Sequence, residues 1–126
     1  MPCTSINHGI YCNCILKSVS SFFSLLAYFS HPNVKYNIIA VDYYPLATFP
    51  NYATAAWNSV RVGQYAGQVL GIDLLLNGLG QNPDQIHAIG HSLGGQLVGH
   101  FGRKIKDNGG QGAIGRISCK YTNVFS

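Results

Sequence analysis

The spacing of hydrophobic and polar positions predicts a strand followed by a long helix in the first half of the chain. Residues 36–43 (YNIIAVDY) form an apolar run of strand length, and a helical pattern follows the Phe-Pro-Asn at 49–51. Asn51 or Thr54 is the candidate N-cap, and Gly78 is the candidate end of this amphipathic crossover helix. The positions predicted to form its buried face are Trp57, Val60, Gln64, Val69, Ile72, Leu75, Leu76 and Leu79.

A strand, a helix and another strand follow in the second half. The turn at 82–85 (NPDQ) precedes a short apolar run at 86–90 (IHAIG), and helical spacing returns over 93–106. Residues 113–118 (AIGRIS) predict one more buried strand. This alternation predicts an α/β fold, with a mostly parallel sheet and helices on both faces.

Two further elements are predicted near the N-terminus, a short strand from Thr4 to Asn7 and a core helix from about Val19 to Phe29. The apolar stretch in this helix is too short to span a bilayer and lies too far from Met1 for a conventional secretion signal. We therefore expect no transmembrane segment.

Composition narrows the classes of function. A chain of 126 residues can bury one modest core, which predicts a single domain over 1–126. The formal net charge of +4 comes from residues that are scattered except around Arg103, Lys104 and Lys106, so no basic stripe indicates nucleic-acid binding. Cys12 and Cys14 lack a second ligand pair at zinc-like spacing, and we expect neither a metal site nor a cofactor.

The main candidate for chemistry is the pentapeptide Gly90-His91-Ser92-Leu93-Gly94, which matches Gly-x-Ser-x-Gly between a predicted strand and a predicted helix. A turn this sharp strains the serine backbone, and side chains at the two glycines would collide with the strand and helix. It would present the Ser92 hydroxyl above the carboxyl edge of the sheet, with the Leu93 amide aimed at a developing oxyanion.

A glycine-rich turn without catalytic function is the alternative interpretation, because the chain contains 15 glycines. The apolar strand before the pentapeptide and the amphipathic helix after it favour a nucleophile elbow.

Three segments together resemble the animal pancreatic-type lipase family, with its α/β-hydrolase fold, most closely its insect members. They are VDYYPLATFPNYATAAWNSVRVGQYAGQVL, NPDQIHAIGHSLGGQLVGHFGRKI and AIGRIS, and the resemblance spans about residues 35–118. It implies a secreted serine hydrolase that acts on triacylglycerols or phospholipids at a lipid–water interface. It also implies that Ser92 is the nucleophile and that the Leu93 amide is an oxyanion-hole donor.

The resemblance implies a second oxyanion donor in an upstream His-Gly-aromatic turn. His8 and Gly9 are followed by Ile10 where the family has an aromatic residue, so the Ile10 amide is the candidate donor. The alternative is an incidental His-Gly pair.

A serine nucleophile needs a histidine base and an acid that orients it. In this fold the acid and then the histidine follow the serine, yet the sequence after Ser92 contains only His100 and Asp107. His100 lies about 12 Å along the same predicted helix, too far for a hydrogen bond. The resemblance implies the triad aspartate at position 121, where this sequence has tyrosine. Asp42 is the alternative acid.

These observations predict an incomplete α/β-hydrolase domain that lacks triad-dependent turnover, with 119–126 as an atypical tail. A noncatalytic lipid-binding or yolk-type protein on the same scaffold is the second hypothesis, and a poorly folding product is the third. His87 and His91 are predicted to be structural. Besides Trp57, the predicted core includes Tyr65, Phe22 and Phe23.

Overall fold

The computed structural model describes residues 10–14, 30, 33, 37–47 and 51–120. The strand predicted from Thr4 to Asn7 and the helix predicted from Val19 to Phe29 lie outside these ranges. In chain order, the elements are β1 (Ile10–Cys14), β2 (Asn37–Ala40), α1 (Tyr52–Ala66), the π-helical segment π1 (Gly67–Gly78), β3 (Ile86–His91), α2 (Leu93–Asn108) and β4 (Arg116–Lys120).

The four described strands form one parallel sheet in the order β2-β1-β3-β4. Because the strands are parallel, their carboxyl ends lie at one edge of the sheet, where open α/β folds place their ligands. The strands and helices confirm the predicted α/β class.

The observed strand boundaries differ from two of the predicted ranges. β2 ends at Ala40, and the chain then turns through a short 3-10 helix at Tyr44–Leu46. β4 runs over Arg116–Lys120 instead of 113–118. Its predicted burial is wrong, because it is the outer strand of the described sheet and Ile117 is 42% exposed.

The helix after β2 starts and ends where the sequence indicates. The Asn51 side chain accepts a hydrogen bond of 3.1 Å from the Thr54 amide, so Asn51 is the N-cap. The helical path continues from α1 through π1 and ends at Gly78, as predicted. At this end the Leu79 amide donates to the Leu74 carbonyl, the i→i−5 bond of a π-helix.

The predicted buried face of α1 is wrong. Trp57 is 65% exposed and Tyr65 is 71% exposed. The buried positions instead carry small residues, which are Ala55, Ser59, Gly63 and Ala66. Close packing against α2 explains this choice, since a Cβ at Gly63 would lie 2.4 Å from the Leu97 carbonyl oxygen.

The main core forms where π1, α2 and β3 meet. The predicted π1 residues Ile72, Leu75 and Leu76 are all buried here. Burying one side chain of this size stabilises the fold by about 1.5–3 kcal/mol. Their buried partners on β3 and α2 are Ile86, Ala88, Leu97, Val98, Phe101 and Ile105.

Candidate active site at the end of β3

The backbone of Ser92 has the strained conformation expected of an elbow. Its φ of 55° and ψ of −121° make it the non-glycine residue with positive φ among those that the structure describes. Such a conformation costs about 1–3 kcal/mol and persists only where the surrounding structure imposes it. Here β3 ends at His91 and α2 begins at Leu93, so one residue reverses the chain direction.

The glycine at position 90 makes this reversal sterically possible. A Cβ on Gly90 would lie 2.1 Å from the Gly94 carbonyl oxygen and 2.7 Å from the Gly95 amide nitrogen. Real Cβ atoms do not approach backbone atoms this closely, so any other residue at 90 would displace the start of α2. Gly94 contributes the backbone that occupies this space.

The first turn of α2 presents hydrogen-bond donors next to Ser92. The Gly95 amide bonds to the Ser92 carbonyl at 2.9 Å, whereas the Ser92 side chain makes no capping bond to the described helix. The Leu93 amide belongs to the first helical residue, where the helix has no internal acceptor and its dipole favours negative charge. This arrangement suits the stabilisation of an oxyanion.

The carboxyl end of β4 lies beside this turn. Cys119 pairs with Gly90 and Lys120 pairs with His91 in the parallel register. The Cys119 thiol donates a weak hydrogen bond of 3.6 Å to the Gly95 carbonyl. The sequence does not predict this contact, because the contact depends on a strand register that no local pattern specifies.

The predicted oxyanion donor Ile10 lies at the other end of the sheet. It is the first residue of β1 and pairs with Ile86, six residues before Ser92. At about 3.3 Å per strand residue, this register separates Ile10 from the elbow by about 20 Å. The structure therefore does not bring Ile10 and Ser92 together, and Cys14 is the β1 residue level with Gly90.

The candidate acids and His100 are also kept apart from Ser92. Asp42 follows β2, which is separated from β3 by β1, a lateral distance of about 10 Å. His100 lies within α2, where its Cβ packs close to Gly63 of α1. Asp107 lies near the end of the same helix. The part of the chain that the structure describes thus places neither a base nor an acid against the serine.

The two histidines near the elbow differ in their surroundings. Half-buried His91 ends β3, while buried His87 has its Nε2 atom 2.8 Å from the Ser118 hydroxyl of β4. Burial, with a smaller contribution from the Arg116 guanidinium, lowers the pKa of His87 below its usual value of 6.5. His87 therefore joins two strands, as a structural histidine would.

No group of three or more histidine, cysteine or acidic side chains within the described ranges is arranged to hold a metal ion. The helices in these ranges also include none that is long and apolar enough to cross a membrane.

Comparison with known proteins places this geometry in a family context. A family model described as Lipase matches residues 9–120. Pancreatic lipase-related protein 2 from Rattus norvegicus is 34% identical over 84 residues, which is 67% of this chain and 16% of that protein. The Bos taurus protein of the same name is 40% identical over the same coverage. Pancreatic triacylglycerol lipase from Ictidomys tridecemlineatus is 38% identical over 82 residues, 65% of this chain and 16% of that protein.

Proposed function

Because the chain belongs to the lipase family, we propose that it supplies the nucleophile of a serine hydrolase that acts on lipid carboxylic esters. The observation that carries this proposal is the strained backbone of Ser92 between β3 and α2. Maintaining a positive φ at a non-glycine residue costs stability, and such strain is concentrated at functional sites. The matched segment spans 16% of the length of these relatives. That the protein has the activity of a complete lipase is therefore also proposed.

The proposed chemistry follows from the position of Ser92. Its Oγ attacks the ester carbonyl carbon while its proton passes to a general base, which gives a tetrahedral oxyanion beside the Leu93 amide. Collapse expels the alcohol, which takes up the proton, and leaves an acyl-serine that water hydrolyses to the free carboxylate. Loss of one oxyanion donor typically slows such reactions by about 10²–10³-fold.

The general base is the component that the described residues do not place near Ser92. We therefore propose that the 126-residue chain by itself has no Ser92-dependent ester turnover. We further propose a single lipase-type domain, an extracellular location and a triacylglycerol or phospholipid substrate presented at a lipid–water interface. The name of pancreatic triacylglycerol lipase supports a triacylglycerol among these substrates.

A noncatalytic lipid-binding role is the second candidate. It is favoured by the positions of His100 and Asp107, which lie farther along α2 than the elbow and so cannot activate Ser92. Retention of Ser92 in a strained conformation favours the enzyme, because a binding protein has no need for a nucleophile there.

A hybrid protein distinguishes the two candidates. In rat pancreatic lipase-related protein 2, the 84 aligned residues would be replaced by those of this chain, and the hybrid treated with an alkyl fluorophosphonate. We expect a covalent adduct on the Ser92 peptide by mass spectrometry, and none in the Ser92→Ala hybrid. A folded hybrid that binds lipid vesicles without forming an adduct would favour the noncatalytic role.

A further inference from the structure

A second candidate site lies between α1 and α2, away from Ser92. The close approach of these helices leaves an open groove of about 890 Å³ along their outer side. Its lining includes Leu46, Arg61, Val62, Arg103, Lys104 and Asp107 and does not include Ser92. We call it the α1–α2 groove.

The groove has an apolar end. Leu46 is 48% exposed, and its carbonyl accepts a hydrogen bond of 2.9 Å from the Asn58 side chain, which fixes it beside the first half of α1. Val62, one turn after Asn58, is half-buried. An apolar group placed here would cover the exposed surface of Leu46.

The other end is cationic. A Cβ added to Gly67 would lie 2.7 Å from the Lys104 Cβ, so the side-chain stem of Lys104 rests on the helix backbone at that point. Arg103 is the adjacent residue and is exposed. Gly67 lies nine positions after Asn58, so the apolar and cationic ends lie about 13 Å apart along the helix.

Positive charge predominates in the groove. Three cationic side chains, Arg61, Arg103 and Lys104, line the groove together with a single carboxylate, Asp107, and Arg61 is adjacent to Val62 in the sequence. Within the described part of the chain, none of the three forms an ion pair within 4.0 Å. An anionic group bound at Arg103 and Lys104 would therefore meet two cations that make no ion pair, against one nearby carboxylate, Asp107, so the net charge at this end favours an anion.

From this polarity we propose that the α1–α2 groove binds a single-chain amphiphile with a compact anionic headgroup. The headgroup lies at Arg103 and Lys104, and the alkyl chain runs toward Val62 and Leu46. A simple anion would leave the apolar end empty, and a neutral chain would leave the cations unpaired. This site is separate from Ser92 and does not depend on the chemistry proposed there.

Calorimetric titration of the 126-residue chain with decanoate, below its micelle concentration, tests the proposal. We expect saturable binding of decanoate, and no comparable binding of decan-1-ol or acetate. The double variant Arg103→Gln/Lys104→Gln retains the stem that packs on Gly67 and should weaken binding about tenfold. Lys106→Gln removes a charge from the same helix outside the groove lining and should leave the Kd unchanged.

Other results would overturn the proposal. These are equal weakening by Lys106→Gln, equal affinity for decan-1-ol, equal affinity for acetate, or no saturable decanoate binding. Ser92→Ala should leave the Kd unchanged, and a Kd that responds to Ser92→Ala alone would place the amphiphile at the elbow instead. Far-UV circular dichroism checks folding, and the exposed single variant Arg103→Gln replaces the double variant if the latter does not fold.

Discussion

At the scale of single residues, the elbow depends on one strained serine and one glycine. Ser92 adopts a positive φ, and Gly90 leaves space that the Gly94 carbonyl occupies. The sequence was sufficient to predict this turn, because its steric requirements are local and Gly-x-Ser-x-Gly meets them between a strand and a helix. The same local pattern carries no information about a base that must come from elsewhere in the fold.

The strain at Ser92 can be measured through stability. Ser92→Gly should be about 1 kcal/mol more stable than Ser92→Ala, since glycine accepts φ of 55° without a Cβ clash. This reverses the usual preference for alanine over glycine near a helix. Urea denaturation of both variants gives the comparison. An alanine variant as stable as the glycine variant would show that position 92 carries no strain.

At the scale of elements, hydrophobic spacing predicted the helix after β2 but not its buried face. A large apolar side chain such as Trp57 is ordinarily expected in a core. In α1 the backbone approaches α2 so closely that only small side chains fit between them, and Trp57 remains outside. In the sequence, this close contact is indicated by small residues at four-residue intervals, which are Ser59, Gly63 and Gly67.

The same contact predicts opposite effects of two glycine substitutions in helices. Gly63→Ala should lower the free energy of unfolding by about 1–3 kcal/mol, because its Cβ would meet the Leu97 carbonyl. Gly99→Ala is the matched control, because nothing lies within 4 Å of its Cβ. It should raise stability by up to about 1 kcal/mol through helix propensity. Similar changes in thermal midpoint for both variants would contradict the close helix contact.

The junction of β3 and β4 predicts a dependence of stability on pH. Burial lowers the pKa of folded His87, so the unfolded chain binds its proton more readily. The resulting stability is present above pH 6.5 and is lost as the pH falls through the lowered pKa. Urea denaturation between pH 7.5 and 5 should show this decline, and His87→Gln should reduce it. An unchanged profile in the variant would remove His87 as its cause.

At the scale of the whole molecule, the register of the strands determines which of the predicted site residues lie close to one another. The pattern of elements predicted a parallel sheet, but the register places Ile10 level with Ile86 at the far end from the elbow. The prediction placed Ile10 in a turn that follows a strand, whereas Ile10 is the first described residue of β1. Strand register depends on pairing between distant segments, which periodicity along the chain does not encode.

The rate of ester hydrolysis by the hybrid lipase tests the central claim most directly. With the aligned 84 residues taken from this chain, the hybrid should hydrolyse a triacylglycerol or phospholipid emulsion. Ser92→Ala should lower its turnover by more than about a thousandfold, because removal of the nucleophile eliminates acyl-enzyme formation. A folded hybrid that hydrolyses the emulsion equally well with alanine at position 92 would contradict the assignment of Ser92 as the nucleophile.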